Sequence, residues 1–217
     1  MKPTILLILG LSGLGADHTP KLVPAKEPEL RSELLRRTKA DQEARAAWTQ
    51  WMKDHGADGV VNFAALSKEK RAEFEKVTAK MREVDADNTK WLKSVVEKHA
   101  WPTNTLVGTD GADAAWLLVQ HADADPKFQR RCLDLMAKLP KSEVSPSKRA
   151  YLTDRVLLAE GKKQLYGTQF NLVDGKWKVR PLEDEANVDK RRADVGLPPL
   201  AEYAKTIEQQ FGGSGKK

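Results

Sequence analysis

Cysteine is almost missing from this chain: its 217 residues include only Cys132. A disulfide framework and a cysteine-built zinc cluster each need at least two, so both are excluded. Cys132 sits beside Arg131 in an amphipathic stretch and reads as a small core residue. Long apolar runs are missing as well. The uncharged run Ile5 to Gly15 falls well short of the roughly 20 residues that cross a bilayer as a helix. With 31% charged residues and a mean hydropathy of −0.58, a polytopic membrane protein is excluded. Charge of one sign is not concentrated either: 37 basic and 31 acidic side chains, net +6, are mixed along the sequence. There is no internal repeat, phosphate loop, dinucleotide fingerprint, serine elbow or kinase motif set.

Hydrophobic residues, at 40%, suffice for a real core, and the length suits one domain. Lys2, the apolar run and the small pair Gly15-Ala16 before Asp17-His18 read as an export signal over residues 1–16. The mature chain is then expected to be periplasmic or secreted, with no integral membrane span. Pro20, Pro24 and Pro28 make 17–28 an extended linker whose last proline opens a helix from about Glu29 to Lys53. Val60 to Leu66 is a short connection, and Ser67 caps a long second helix. Phe74, Val77, Met81, Val84, Asn88, Trp91 and Val95, at steps of three and four, form its inward seam.

Trp101-Pro102 ends that helix, and Asp110 with Asp113 forms a cap-like pair before the apolar segment Ala114 to Ala122. Asp125-Pro126 and Ser145-Pro146 start two further helices, to about Leu139 and Glu160, with Gly161 a left-handed terminator. Gln164 to Arg180 is a hairpin in which Asp174-Gly175 supplies a type I′ turn. Its register pairs Val173 with Lys176, Leu172 with Trp177 and Phe170 with Val179, and alternation puts Tyr166 and Thr168 on the same apolar face. Asn187 to Asp194 and Pro199 to Phe211 close the domain as helices, and 212–217 is a loose tail. The predicted fold is mainly α: a bundle-like single domain over 29–211 with one small β-hairpin at about 164–180.

Several spaced blocks carry a resemblance. Asn88-Thr89, Trp101-Pro102, Ala114 to Asp123, Tyr151-Leu152-Thr153-Asp154-Arg155, Gln164 to Gln169, Asn187 to Arg192 and Gly196-Leu197 resemble DUF6624, a bacterial domain family of unknown function, over about residues 87–203. The family carries no known activity. What the resemblance implies is that these polar blocks meet in one place.

The informative residues are polar ones at apolar positions. His121 follows Ala114, Leu117 and Leu118 at helical spacing and so should be buried with a hydrogen-bond partner. It reads either as a satisfied core histidine or as a general acid or base, with metal ligation a third use. Asp154 shares a face with Tyr151, Leu157 and Leu158, where an unpaired carboxylate is expensive. It is either half of a buried salt bridge or the orienter of His121. Asn88 interrupts the seam of the second helix, either to fix its register or to face a pocket. Asp110, Asp125 and Ser145 are read as caps.

No metal site is expected. His121 and Asp123 diverge by about 200° around a helix, and His18, His55 and His99 are isolated. Nucleic acid is disfavoured despite a pI near 9.3, because the basic clusters at Arg36-Arg37, Arg130-Arg131 and Lys190 to Arg192 all have acids close by. Two function classes remain. One is an exported small-molecule enzyme or ligand-binding domain with His121 as acid or base, Asp154 as its orienter, and Asn88, Trp101, Gln120, Tyr166, Thr168, Gln169 and Arg191 as substrate contacts. The other is a non-catalytic helical interaction or structural module of the cell envelope. Neither names a cofactor.

Overall fold

A computed structural model describes residues 24–56, 61–173 and 175–211. The expected signal segment, the linker up to residue 23, Asp174 of the expected turn and the tail 212–217 lie outside the described residues. Among the described residues the regular structure is seven α-helices, two short 3-10 turns and one two-stranded antiparallel hairpin, so the mainly α reading holds. Among the described residues no helix is long and apolar enough to cross a membrane.

The first helix, α1 (Pro28–His55), has its proline in the first turn, with Glu29 there and Lys53 and His55 in the last, matching the helix dipole at both ends. It buries the stripe Leu34, Asp41, Ala44, Trp48 and Trp51. After a 3-10 turn at Phe63–Ala65, α2 (Lys68–His99) begins where expected, with Ser67 accepting a hydrogen bond from the Lys70 amide. Arg37 meets Asp87, Arg45 meets Asp85 and Trp51 meets Phe74, so α1 and α2 run antiparallel.

The third helix, α3 (Asn104–Gln120), corrects one expectation. It starts well before Asp110, capped by Thr103, and bends at Gly108, where φ is 74° and ψ 164°. Any residue with a Cβ is strained in that conformation, so glycine can place a bend there cheaply. Beyond the bend Asp110 accepts from the Gly111 amide and holds Arg31 of α1 through two bonds. Asp113 is no cap; it pairs with Lys148. The contacts Arg31–Asp110 and Asp41–His121 are separated by 79 and 80 residues in sequence, so α1 and α3 lie parallel at a nearly constant offset.

Asp125 caps α4 (Pro126–Ala137) through the Phe128 amide. Ser145, before α5 (Pro146–Ala159), makes no cap bond; its hydroxyl meets that of Ser147 instead. Leu34, Leu92, Val107, Leu118, Val119 and Leu152 form the centre of the core, with Trp101 and Cys132 inside it. Burial pushes the Cys132 thiol up to about 12, which makes it inert packing.

The hairpin pairs β1 (Phe170–Val173) with β2 (Lys176–Val179) in the anticipated register, Phe170 opposite Val179 and Leu172 opposite Trp177. It is shorter than expected. Residues 164–169 are not strand: the segment folds around the buried carboxylate of Asp154, which takes up the amides of Leu165, Tyr166 and Thr168. Gly167, at φ 66°, lies so close to α7 (Leu200–Phe211) that an added Cβ would stand 2.8 Å from Leu200 Cδ1. Between hairpin and α7 lies the short α6 (Val188–Asp194).

Candidate functional site

The polar centre of the bundle is built by α1, α2 and the end of α3. Asp41 occupies a position on the apolar stripe of α1 and is 1% exposed. Its carboxylate receives Nδ1 of His121 at 2.8 Å and 3.0 Å, with Gln42 donating at 2.8 Å. One turn along α1, Arg45 reaches between three groups: Asp41 at 3.3 Å, His121 Nδ1 at 2.9 Å and Asp85 of α2 at 2.6 Å. One Nδ1 cannot both donate to Asp41 and accept from Arg45. Burial by itself would raise Asp41, but the bond to His121 and the charge of Arg45 outweigh it and hold the carboxylate low. The ionised carboxylate therefore takes the Nδ1 proton. Burial keeps His121 below its ordinary value against the pull of Asp41, so the ring is neutral and Nε2 carries the lone pair. That nitrogen is buried and has no partner.

Asp85 behaves in the opposite way. Burial pushes it up to about 6, the charge of Arg45 only partly offsetting this, with Asp41 adding repulsion. The three groups Asp41, Asp85 and His121 offer ligand atoms within 4.8 Å of one another, an oxygen and nitrogen set that suits a divalent cation. Arg45 already supplies the positive charge in their midst, so a metal would have to displace it. The ionisation of Asp85 has a consequence for stability. A carboxyl whose pKa is higher in the folded chain than in the unfolded one takes stability away as pH rises through that window, from about 4 to about 6. Asp85→Asn is accordingly expected to raise stability at pH 7.5 by about 1–2 kcal/mol, discounted for partial solvent screening, and to flatten the pH dependence between pH 4 and 6. Melting curves across that range check it; a loss of stability at pH 7.5 would mean that the Arg45 pair outweighs burial.

Beside this centre lies a cavity of about 790 Å³, within the range of small-molecule sites. Trp48, one turn beyond Arg45, and Met81 and Arg82, one turn before Asp85, line it, as do Thr78, Phe74, Asp123, Arg155, Gln169 and Arg180. Arg155 of α5 is fully buried, bonding Gln120 Oε1 at 3.0 Å and Asp123. Burial lowers its pKa while Asp123 raises it. Four lining side chains carry a buried polar atom without a partner: Thr78 Oγ1, Arg155 Nη2, Gln169 Oε1 and Arg180 Nε. His121 itself does not line the cavity.

The expected site is thus only partly assembled. Gln169 lines the cavity, and Gln120 stands behind it, holding Arg155. The orienter of His121 is Asp41, not Asp154, whose bonds all go to residues 165–168. Thr168 and Tyr166 are held by Asp154, so their amides belong to a structural turn. Asn88 accepts from Arg37 at 3.1 Å, and Trp101 is core. Arg191 ties down the backbone of Leu165, Glu183 and Asp184. The three residues that reading missed, Asp41, Arg45 and Asp85, did leave a signal: Leu34, Asp41, Ala44, Trp48 and Trp51 follow helical spacing, which sets a carboxylate on a buried stripe.

No curated protein and no solved structure matches the chain. A family model, described as a family of unknown function (DUF6624), matches residues 28–216, which takes in α1 and its Asp41 as well as the polar blocks at 87–203. The chain belongs to that family.

Proposed function

We propose that this domain binds a small organic molecule in the cavity beside Trp48 and Arg155, with the titratable Asp41–His121–Asp85 centre behind the cavity wall rather than on it. The observation that carries the reading is four cavity-lining side chains, Thr78 of α2 and Arg155, Gln169 and Arg180 from the α5 and hairpin side, each with a buried polar atom that has no partner among the described residues. Each such atom costs about 1–3 kcal/mol when left unsatisfied, a cost that a ligand removes where these side chains turn to meet its donors and acceptors. We place this activity outside the cytoplasm, on the export-signal pattern of residues 1–16.

Thermal melting of the purified chain against a small-molecule panel tests the reading. Binding compounds are expected to raise the melting temperature with the logarithm of one plus concentration over Kd. Ala159→Trp tests the location: Ala159 is an exposed residue on the cavity lining, so the indole fills the space without disturbing the core, and the shifts should vanish. A panel that shifts nothing, or shifts that survive Ala159→Trp, would leave a purely structural envelope module as the better account.

A further inference from the structure

The cavity lining mixes rings with cations. From α1, α2 and the turn before α2 come Trp48, Phe74 and Phe63, the two phenyl rings meeting edge to face at 4.8 Å, together with the charged Arg71, Glu75 and Arg82. From α5 and the hairpin side come Arg155, Gln169 and Arg180. The lining arginines Arg71, Arg82, Arg155 and Arg180 outnumber the lining acids Glu75 and Asp123, and Asp123 is already committed to Arg155. Arg180 is the unusual member. Among the described residues no carboxylate pairs with it, and burial lowers its pKa with nothing opposing. A half-buried guanidinium without a counter-charge is a ready partner for an anion that enters the cavity. Arg155 Nη2 is a buried donor without an acceptor among the described residues, on a lining side chain that is 2% exposed.

Resting on the cavity reading above, we infer that the ligand is an organic oxyanion, a flat apolar body ending in a carboxylate, sulfonate or phosphate group, with the body against Trp48 and Phe74 and the anionic end at Arg155 and Arg180. Guanidinium forks match the planar or tripodal oxygens of such groups, and the bond is strengthened by charge and by exclusion of water. Gln169 and Thr78 are placed on the same lining for a hydroxyl or amide elsewhere on the molecule.

Two fluorescent probes that share one ring skeleton separate the claims. Anilinonaphthalene sulfonate carries the anion, and the neutral phenyl-naphthylamine lacks it. The wild-type chain is expected to bind the sulfonate at least about tenfold more tightly than the neutral probe, with saturable binding that Ala159→Trp abolishes for both. Arg180→Gln should weaken the sulfonate about tenfold or more and leave the neutral probe unchanged, with Arg180→Lys in between. Equal affinity for the two probes in the wild type overturns the anion while the cavity stands, and this comparison needs no variant to fold. An unchanged sulfonate affinity in Arg180→Gln overturns the role of Arg180. If neither probe binds in the cavity, both the anion and the cavity reading fall.

Discussion

Replacing Asp154 by Ala is expected to cost about 3–5 kcal/mol of folding stability. The carboxylate is fully enclosed and accepts from the amides of Leu165 at 2.7 Å, Tyr166 at 3.0 Å and Thr168 at 2.9 Å, and from the Thr168 hydroxyl at 2.9 Å. Alanine leaves those donors in a dry site with nothing to receive them, and each lost partner costs about 1–3 kcal/mol before relaxation. Asparagine is no rescue, because its NH2 group would face donors; it should lose about 2 kcal/mol or more. Urea unfolding measures both. The same turn places Gln169 on the cavity wall, so probe binding should weaken along with stability. A loss below about 1 kcal/mol in Asp154→Ala would mean that the turn at 164–169 holds itself, and Arg192 would be its alternative anchor, since its guanidinium bonds the Tyr166 and Pro198 carbonyls.

Asp41→Ala should be nearly as damaging, about 3–5 kcal/mol, since it removes one of the two carboxylates that Arg45 meets and the acceptor of His121 together. His121→Ala should cost less, about 2–3 kcal/mol, because Gln42 and Arg45 still reach Asp41. The two changes touch one network, so the double variant should fall well short of the sum. The pH dependence distinguishes them from a simple packing loss. Asp41 is held below the ordinary carboxylate range, so the stability it contributes is present above that range and disappears as pH falls through its lowered value. His121 is held below the ordinary imidazole range, so the unfolded chain takes up its proton first, and acid removes stability there as well. Asp41→Asn should therefore show a shallower acid limb than wild type, opposite in sign to the window set by Asp85. An acid limb unchanged in Asp41→Asn would mean that other carboxylates carry it.

Much of the architecture was legible locally. Pro28, Ser67, Asp125-Pro126 and Pro146 mark helix starts by chemistry that needs no distant partner, and the hairpin register follows from the position of a tight turn between alternating residues. Where the structure departs from that reading, a long-range contact or an unforeseen bend overrules a local rule. Asp113 resembles a cap but answers Lys148 of α5, and α3 passes through its expected starting point because Gly108 bends without stopping it. The strand expected from Gln164 to Gln169 does not form because a carboxylate from another helix takes the amides a ladder would use.

Helical spacing alone is enough to bury His121 and Asp154 and to require partners for both, because periodicity assigns faces and burial of an imidazole or carboxylate demands partners. The helical class and the family likeness of the second half are equally legible along the chain. Which carboxylate meets which ring was decided by the tertiary structure alone. Asp41 and Asp154 are both carboxylates on apolar helix faces, and only the parallel packing of α1 against α3 delivers the first to His121 while α5 turns the second toward residues 165–168. The cavity is likewise beyond sequence reach, since its wall is assembled from α1, α2, α5 and the hairpin, and spacing along a chain carries no measure of the space left between elements that meet from far apart.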